Sequence, residues 1–232
     1  MVKVGIIGAM ELEVSSLKGQ LKGCRKHSKA GMEFFEGSIG GVDVVVVRCG
    51  VGKVNAALCV QILCDDHHIT HVINTGVAGS LNNDLNIGDI LISRDALYHD
   101  VNVTIFSYKV GEVPQLGVRE FSADRHLIEA VEESIKETQP ELNYRIGRVA
   151  SGDQFISSLD AKERIIRDCE ADCAEMEGAA IAHGAYLNGI PFVVIRAISD
   201  KADGSAEEDY PVFEKKAAAH CAKLVADVLH RI

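Results

Sequence analysis

The sequence predicts an α/β protein: a single domain with three α/β/α layers around a central mixed, mostly parallel sheet. Three observations carry that expectation. Short β-branched runs bounded by turn residues alternate with helical stretches along the whole chain, the pattern of a sheet covered by helices on both faces. The run at 192–198, Phe-Val-Val-Ile-Arg-Ala-Ile, is apolar except for one Arg and ends in Ser199-Asp200, as a strand buried on both faces would. With 232 residues, 47% hydrophobic and 25% charged, the chain suits one large domain with a substantial core. No repeat, low-complexity segment or linker divides it.

Residues 2–7 form the expected first strand, and Gly8-Ala9-Met10 turn it into a helix whose first turn carries Glu11 and Glu13, where acids complement the helix dipole. Residues 34–39 and 42–48, separated by Gly40-Gly41, read as a hairpin. Cys49-Gly50-Val51-Gly52-Lys53-Val54-Asn55 then opens a helix to about residue 68. This stretch lacks the first Gly and the Ser/Thr of a phosphate loop, and Asn55 stands where a dinucleotide fingerprint needs its third Gly. It reads as a tight turn lining a pocket. Residues 71–74 are a buried strand ending in Thr75-Gly76-Val77-Ala78-Gly79-Ser80, where small side chains permit close backbone approach to a ligand. Gly88-Asp89 lead into a strand through Ile92, followed by Tyr98-His99-Asp100.

Residues 101–117 carry aromatics and a Pro without periodicity, and a loop of that length in a compact domain usually has a task. A helix over 122–136 takes Ser122 as its cap, and a strand over 145–151 continues into Gly152-Asp153-Gln154-Phe155-Ile156. Residues 161–169 are helical. Glu175-Met176-Glu177 opens an Ala/Gly-rich helix closed by Asn188-Gly189-Ile190-Pro191, and 210–232 forms the closing helix. Asp200 thereby sits at a strand's carboxyl end, where open α/β sheets bind ligands.

The formal net charge of -10 disfavours a polyanion partner, so no nucleic acid is expected. No run is long enough to span a bilayer, and the N-terminus enters a strand without a charged leader, so a cytoplasmic protein away from the membrane is expected. Seven cysteines without a paired framework suit reduced thiols. Cys169 with Cys173, and the Asp65-Asp66-His67-His68 cluster, each lack the second pair of a closed zinc site, so neither a metal nor another cofactor is expected.

Seven motifs occur in one order: Gly5-Ile6-Ile7-Gly8-Ala9-Met10-Glu11-x-Glu13-Val14, Gly50-x-Gly52-Lys53, Asn74-Thr75-Gly76-x-Ala78-Gly79, Tyr98-His99-Asp100, Ser151-Gly152-Asp153-x-Phe155-Ile156, Glu175-Met176-Glu177-x-x-Ala180-Ile181-Ala182 and Arg196-Ala197-Ile198-Ser199-Asp200. Together, over nearly the whole chain, they resemble the 5′-methylthioadenosine/S-adenosylhomocysteine nucleosidases of the nucleoside phosphorylase superfamily. The resemblance implies a nucleoside phosphorylase-like fold, a homodimer, and hydrolysis of a ribosyl–adenine bond.

That reaction passes through a sugar with oxocarbenium character, and it needs an acid for the departing base, a base for water, and charge stabilisation at the ribose. The resemblance assigns Asp200 as the acid at adenine N7, Glu13 as the base that activates water, and Arg196 as the group that holds the water and Glu13. It assigns Met176 and Glu177 to the ribose, where an acceptor for the 2′-hydroxyl strengthens as positive charge grows. Glu175, beside them, reads as helix-start electrostatics. Phe155 is the expected stacking face for adenine, and the Ile156 backbone its edge reader. Val77, Ala78, Gly79 and Ser199 join the pocket. Met10, Val51, Val103, Tyr210 and Phe213 are expected to line the 5′-alkylthio slot, with Phe106 and Pro114 contributed by a second subunit.

Two positions depart from the family's pattern: Val77 stands where a Ser often lies near the water, and Ser80 replaces a small Gly. The first bears on activity or substrate preference. Phosphorolysis is the nearest alternative, since related purine nucleoside phosphorylases use phosphate on a similar scaffold, but a dianion would meet the carboxylate of Glu13. An aminofutalosine-type nucleosidase differs only at the 5′ side of its substrate. A silent nucleoside-binding protein would need neither Glu13 nor Asp200.

Overall fold

The computed structural model describes residues 2–232, excepting the side chains of Glu207 and Glu208. Strand β1 (Lys3–Gly8) leads to α1 (Glu11–Gln20), and β2 (Lys22–Lys29), β3 (Met32–Ile39) and β4 (Val42–Arg48) follow as an antiparallel meander. Helix α2 (Lys53–His67) returns the chain to β5 (His71–Ser80), followed by β6 (Ile90–Tyr98) and the short β7 (Phe121–Ser122). Then come α3 (Arg125–Thr138), β8 (Tyr144–Ser151), α4 (Leu159–Cys169), β9 (Cys173–Glu175), α5 (Gly178–Asn188), β10 (Phe192–Asp200) and α6 (Ala206–Val228).

Strand β5 is the centre of the sheet. Both β1 and β10 run parallel to it, one on each side, with Ile6 and Val193 each opposite Ile73. From β10 the sheet continues antiparallel to β6, parallel to β8, parallel to β9 and antiparallel back to β5, so five strands close a ring. Beyond β1 it extends through β4, β3 and β2. The sheet is mixed, as the alternation of elements predicts; its antiparallel joins fall at the meander, at the β6–β10 seam and at the short strands β7 and β9.

Helices cover both faces. Apolar residues of α2 and α5 (Val60, Leu63, Ile181) pack with Ile7, Val72 and Val194 in one cluster. Those of α1, α3 and α6 (Leu17, Val131, Leu224) pack with Ile6, Ile73 and Ile195 in the other. Because alternate strand residues face opposite sides, the neighbours Ile6 and Ile7 serve different layers, which is why the strands read as continuous apolar runs.

Three local expectations change. Asp124, not Ser122, caps α3, its carboxylate accepting the Leu127 N–H at 3.0 Å. Ser122 is drawn into β7 because its neighbour Phe121 is fully buried beside β6. The Glu-Met-Glu run opens its helix only at its end, with Glu177 as the N-cap of α5; Glu175 belongs to β9, where buried Cys173 and Ala174 pair with β5 and β8. The closing helix begins at Ala206 rather than at residue 210. No helix of the described residues is long and apolar enough to cross a membrane.

Candidate active site

The carboxyl ends of β1, β5 and β10 meet at one cleft, and each delivers a different group. After β1, Gly8-Ala9-Met10 place Glu13 in the first turn of α1, where its Oε2 accepts the N–H groups of Ala9 at 2.7 Å and Met10 at 2.9 Å. Its Oε1 accepts the Val77 N–H of β5 at 3.2 Å. Glu13 is 3% exposed, and burial raises its proton affinity while the nearby Arg196 charge and the three amides oppose the rise. A carboxylate so placed is fixed in position and has its proton affinity moved toward the working range of a base.

Asp200 ends β10. Its Oδ1 accepts the Ala202 N–H at 2.8 Å and its Oδ2 the Ser199 hydroxyl at 2.8 Å. Burial pushes its carboxyl above the ordinary range, against those two donors. The Thr-Gly-Val-Ala-Gly run of β5 shows why small residues are needed here. A Cβ on Gly76 would lie 2.5 Å from Glu13 Oε1 and 3.1 Å from Arg196 Nη1, and one on Gly79 would lie 2.7 Å from Asp200 Oδ1. These glycines admit the protein's own carboxylates, where the sequence suggested only approach to a ligand.

Arg196 was expected to hold Glu13. Instead it forms a buried ion pair with Glu175 and donates from Nη2 to Asn74 Oδ1 at 2.6 Å. Among the described residues it makes no hydrogen bond to Glu13 and acts on it only through its charge. A charge buried in an apolar strand needs a buried acid, and β9 supplies one at matching depth. Glu175 also accepts the N–H groups of Glu177 at 3.1 Å and Gly178 at 2.8 Å and the hydroxyl of Ser151, so it does satisfy the start of α5. Asn74 and Ser151 were not singled out as site residues. The lone Arg in an apolar strand was the available signal that such polar partners had to exist.

Glu177 accepts the Gly52 N–H at 2.8 Å, which is the use the Gly-Val-Gly-Lys turn makes of its backbone. Burial first, and then the neighbouring Glu175, push its carboxyl up to about 8. The folded protein therefore binds this proton more tightly than the unfolded chain. The resulting stability is fully present below the ordinary value of 4.5 and is lost as pH rises through about 8. Glu177→Gln, which keeps the acceptor and removes the titration, is expected to melt close to wild type at about pH 5 and several degrees above it at about pH 9, by scanning calorimetry.

The cleft encloses about 190 Å³ and is lined by Met10, Glu13, Val51, Val77, Ala78, Gly79, Phe155, Glu175, Met176, Glu177, Ser199, Asp200 and Tyr210, with Ala9 and Ala174. At its mouth the Tyr210 hydroxyl donates to Met10 Sδ at 3.3 Å, and the Tyr210 ring meets Phe155 edge-on at 5.6 Å. Phe155 is half exposed, as a free stacking face requires. Ile156 is buried against Leu97 and Ile165 and does not line the cleft with its side chain.

Phe213 lies elsewhere, in a second cavity with Ile87, Leu142 and Ile198. Phe213, one turn beyond Tyr210 on α6, thus lies against Ile198, while Tyr210 lines the cleft with Ser199 and Asp200. Val103, Phe106 and Pro114 are not among the lining residues, and Phe106 is 73% exposed. Their segment leaves the end of β6 and keeps these side chains clear of the cleft of its own chain. Among the described residues no three His, Cys, Asp or Glu side chains gather as metal ligands. His67 instead stacks on Phe34 and bonds Glu36.

A family model described as "Phosphorylase superfamily" matches residues 3–230. A 5′-methylthioadenosine/S-adenosylhomocysteine nucleosidase of Staphylococcus haemolyticus is 40% identical over 97% of this chain and 98% of its own. The nucleosidase of that name from Neisseria meningitidis, solved with methylthio-immucillin-A, superposes with a TM-score of 0.96 at 36% identity, covering 100% of both chains. That of Colwellia psychrerythraea 34H, solved with adenine, gives a TM-score of 0.95 at 35% identity, covering 99% of this chain and 95% of that one. The chain belongs to the phosphorylase superfamily. Within that superfamily it is a member of the methylthioadenosine/S-adenosylhomocysteine nucleosidase family. At the departing position 77, Glu13 is held by the backbone N–H and not by the side chain.

Proposed function

We propose that the protein hydrolyses the N-glycosidic bond of 5′-methylthioadenosine and S-adenosylhomocysteine, releasing adenine and the 5′-thioribose sugar. The observation that carries this reading is the pair Glu13 and Asp200, buried carboxyls from opposite ends of the chain on the wall of one cleft, each with its proton affinity raised. Protonated Asp200 donates to adenine N7 as the C1′–N9 bond breaks, so the base departs neutral. Glu13 takes a proton from the water that adds to C1′. Proton exchange with solvent then returns Asp200 to its acid form and Glu13 to its carboxylate.

Glu177 and Met176 hold the ribose, with a Glu177 oxygen accepting from the 2′-hydroxyl, a bond that strengthens as positive charge grows on the sugar. Phe155 stacks on the adenine, and the Ile156 backbone reads its edge. Met10, Val51 and Tyr210 take the alkylthio group. A second copy of the chain completes that end with Phe106 and Pro114 in a homodimer, which gives the exposed Ile105 and Phe106 (86% and 73%) a partner. The seven free cysteines suit a cytoplasmic setting.

Water is favoured over phosphate as the nucleophile because no Arg or Lys is among the described residues lining the cleft, and the adjacent Arg196 is already engaged by Glu175 and Asn74. Adenine release from methylthioadenosine is expected to proceed at the same rate with and without phosphate and to yield free methylthioribose. A phosphate requirement with a sugar 1-phosphate product overturns hydrolysis. An aminofutalosine-type nucleoside in the same assay ranks the two kinds of 5′ group.

A further inference from the structure

Asp100 lies just beyond the end of β6, outside the cleft, yet it connects two loops that wall it. Its Oδ2 accepts from Lys53 Nζ at 2.6 Å and from the Asp153 N–H at 3.0 Å. The Lys53 N–H donates in turn to Asp153 Oδ1 at 2.9 Å, which closes a cycle of three residues. One arm of the cycle is the turn after β4, where Val51 lines the cleft and the Gly52 N–H holds Glu177. The other is the loop after β8, where Phe155 lines the opposite part.

Val51 and Phe155 are each 50% exposed, so core packing does not fix them. The ion pair is better shielded: the side chains of Asp100 and Lys53 are 16% and 23% exposed, which sets it apart from a freely solvated surface pair. The second loop lies directly on the His99-Asp100 corner, since a Cβ on Gly152 would lie 3.0 Å from Asp100 Cγ and would overlap the His99 ring.

We propose that Asp100 is a positioning residue whose single oxygen, through Lys53 and Asp153, sets the distance between the Val51–Gly52 turn and the Phe155 loop and so shapes the cleft for its nucleoside. The proposal rests on the hydrolase reading for its substrate. The bonds that orient Glu13 (from Ala9, Met10 and Val77) and Asp200 (from Ser199 and Ala202) do not pass through the cycle. Loosening the cycle therefore acts chiefly on substrate binding, while the two groups that move protons keep their places.

Asp100→Ala is expected to raise KM for methylthioadenosine, and the dissociation constant of adenine measured by calorimetry, about tenfold or more, with kcat within about threefold of wild type. Asp100→Asn is expected to remain within about threefold in KM, because both donors use one oxygen and the amide keeps a carbonyl. Lys53→Met cuts one arm only and is expected to raise KM severalfold, which carries the test should the alanine variant not fold. Unchanged KM in Lys53→Met overturns the proposal, as does an asparagine variant as impaired as alanine or a loss confined to kcat. Wild-type turnover without phosphate tests the hydrolase reading separately. Adenine affinity compares the variants even if that reading fails.

Discussion

Asp200→Asn is expected to lower kcat for methylthioadenosine by about 10³-fold or more while adenine binding stays within a few fold of wild type. Asparagine preserves the shape of the site, because its oxygen still accepts the Ala202 N–H that Oδ1 now takes at 2.8 Å. An amide has no acidic proton to give, so the departing purine leaves as an anion and the barrier rises. Burial holds the Asp200 carboxyl above its ordinary range, which keeps its acid form populated toward neutral pH. The wild-type rate should therefore fall as pH rises through that raised value, and the asparagine variant should lack this alkaline limb. A variant that keeps most of the wild-type rate, or the same limb, removes Asp200 as the acid.

Glu13→Gln is expected to cost roughly 10²–10⁴-fold in kcat, the usual range for loss of a general base. Glutamine has one acceptor where glutamate has two. If that oxygen keeps the Ala9 and Met10 amides, the new NH₂ faces the Val77 N–H, donor against donor. The buried charge of Arg196 keeps its partner Glu175, so the fold should survive and the loss should be one of rate. Steady-state rates with a melting curve check both halves; a glutamine enzyme within tenfold of wild type sinks the assignment of Glu13.

The layers and most strands were legible because the strands are buried on both faces and β-branched. The hairpin at Gly40-Gly41 and the buried run ending at Asp200 needed nothing more than periodicity and turn chemistry. Strand β9 was not legible, since three residues carry no period and Glu-Met-Glu imitates an acidic helix start. At the site, sequence order placed Glu13 and Asp200 at strand ends but said nothing of distance between them. The partner of Arg196 was misread for the same reason: burial demands an acid, while the choice among Glu13, Glu175 and Glu177 depends on depth along β5 and β9. Phe213 was assigned through the resemblance and not from a motif, and it falls one turn too far along α6, beside Ile198.

The place of β5 between the first strand and the last has a bearing on how the protein acquires activity. Its neighbours β1 and β10 come from the two halves of the chain, and the turn after β1 and the end of β10 each bring one of the two proposed reacting carboxylates beside a glycine of β5. Such pairings across the length of the polymer are slow to form compared with local helices. During refolding, helical signal should recover ahead of turnover, and a chain still lacking its final strand should be inert however much secondary structure it holds. Enzymatic rate is thus a stringent reporter of completed assembly in this molecule.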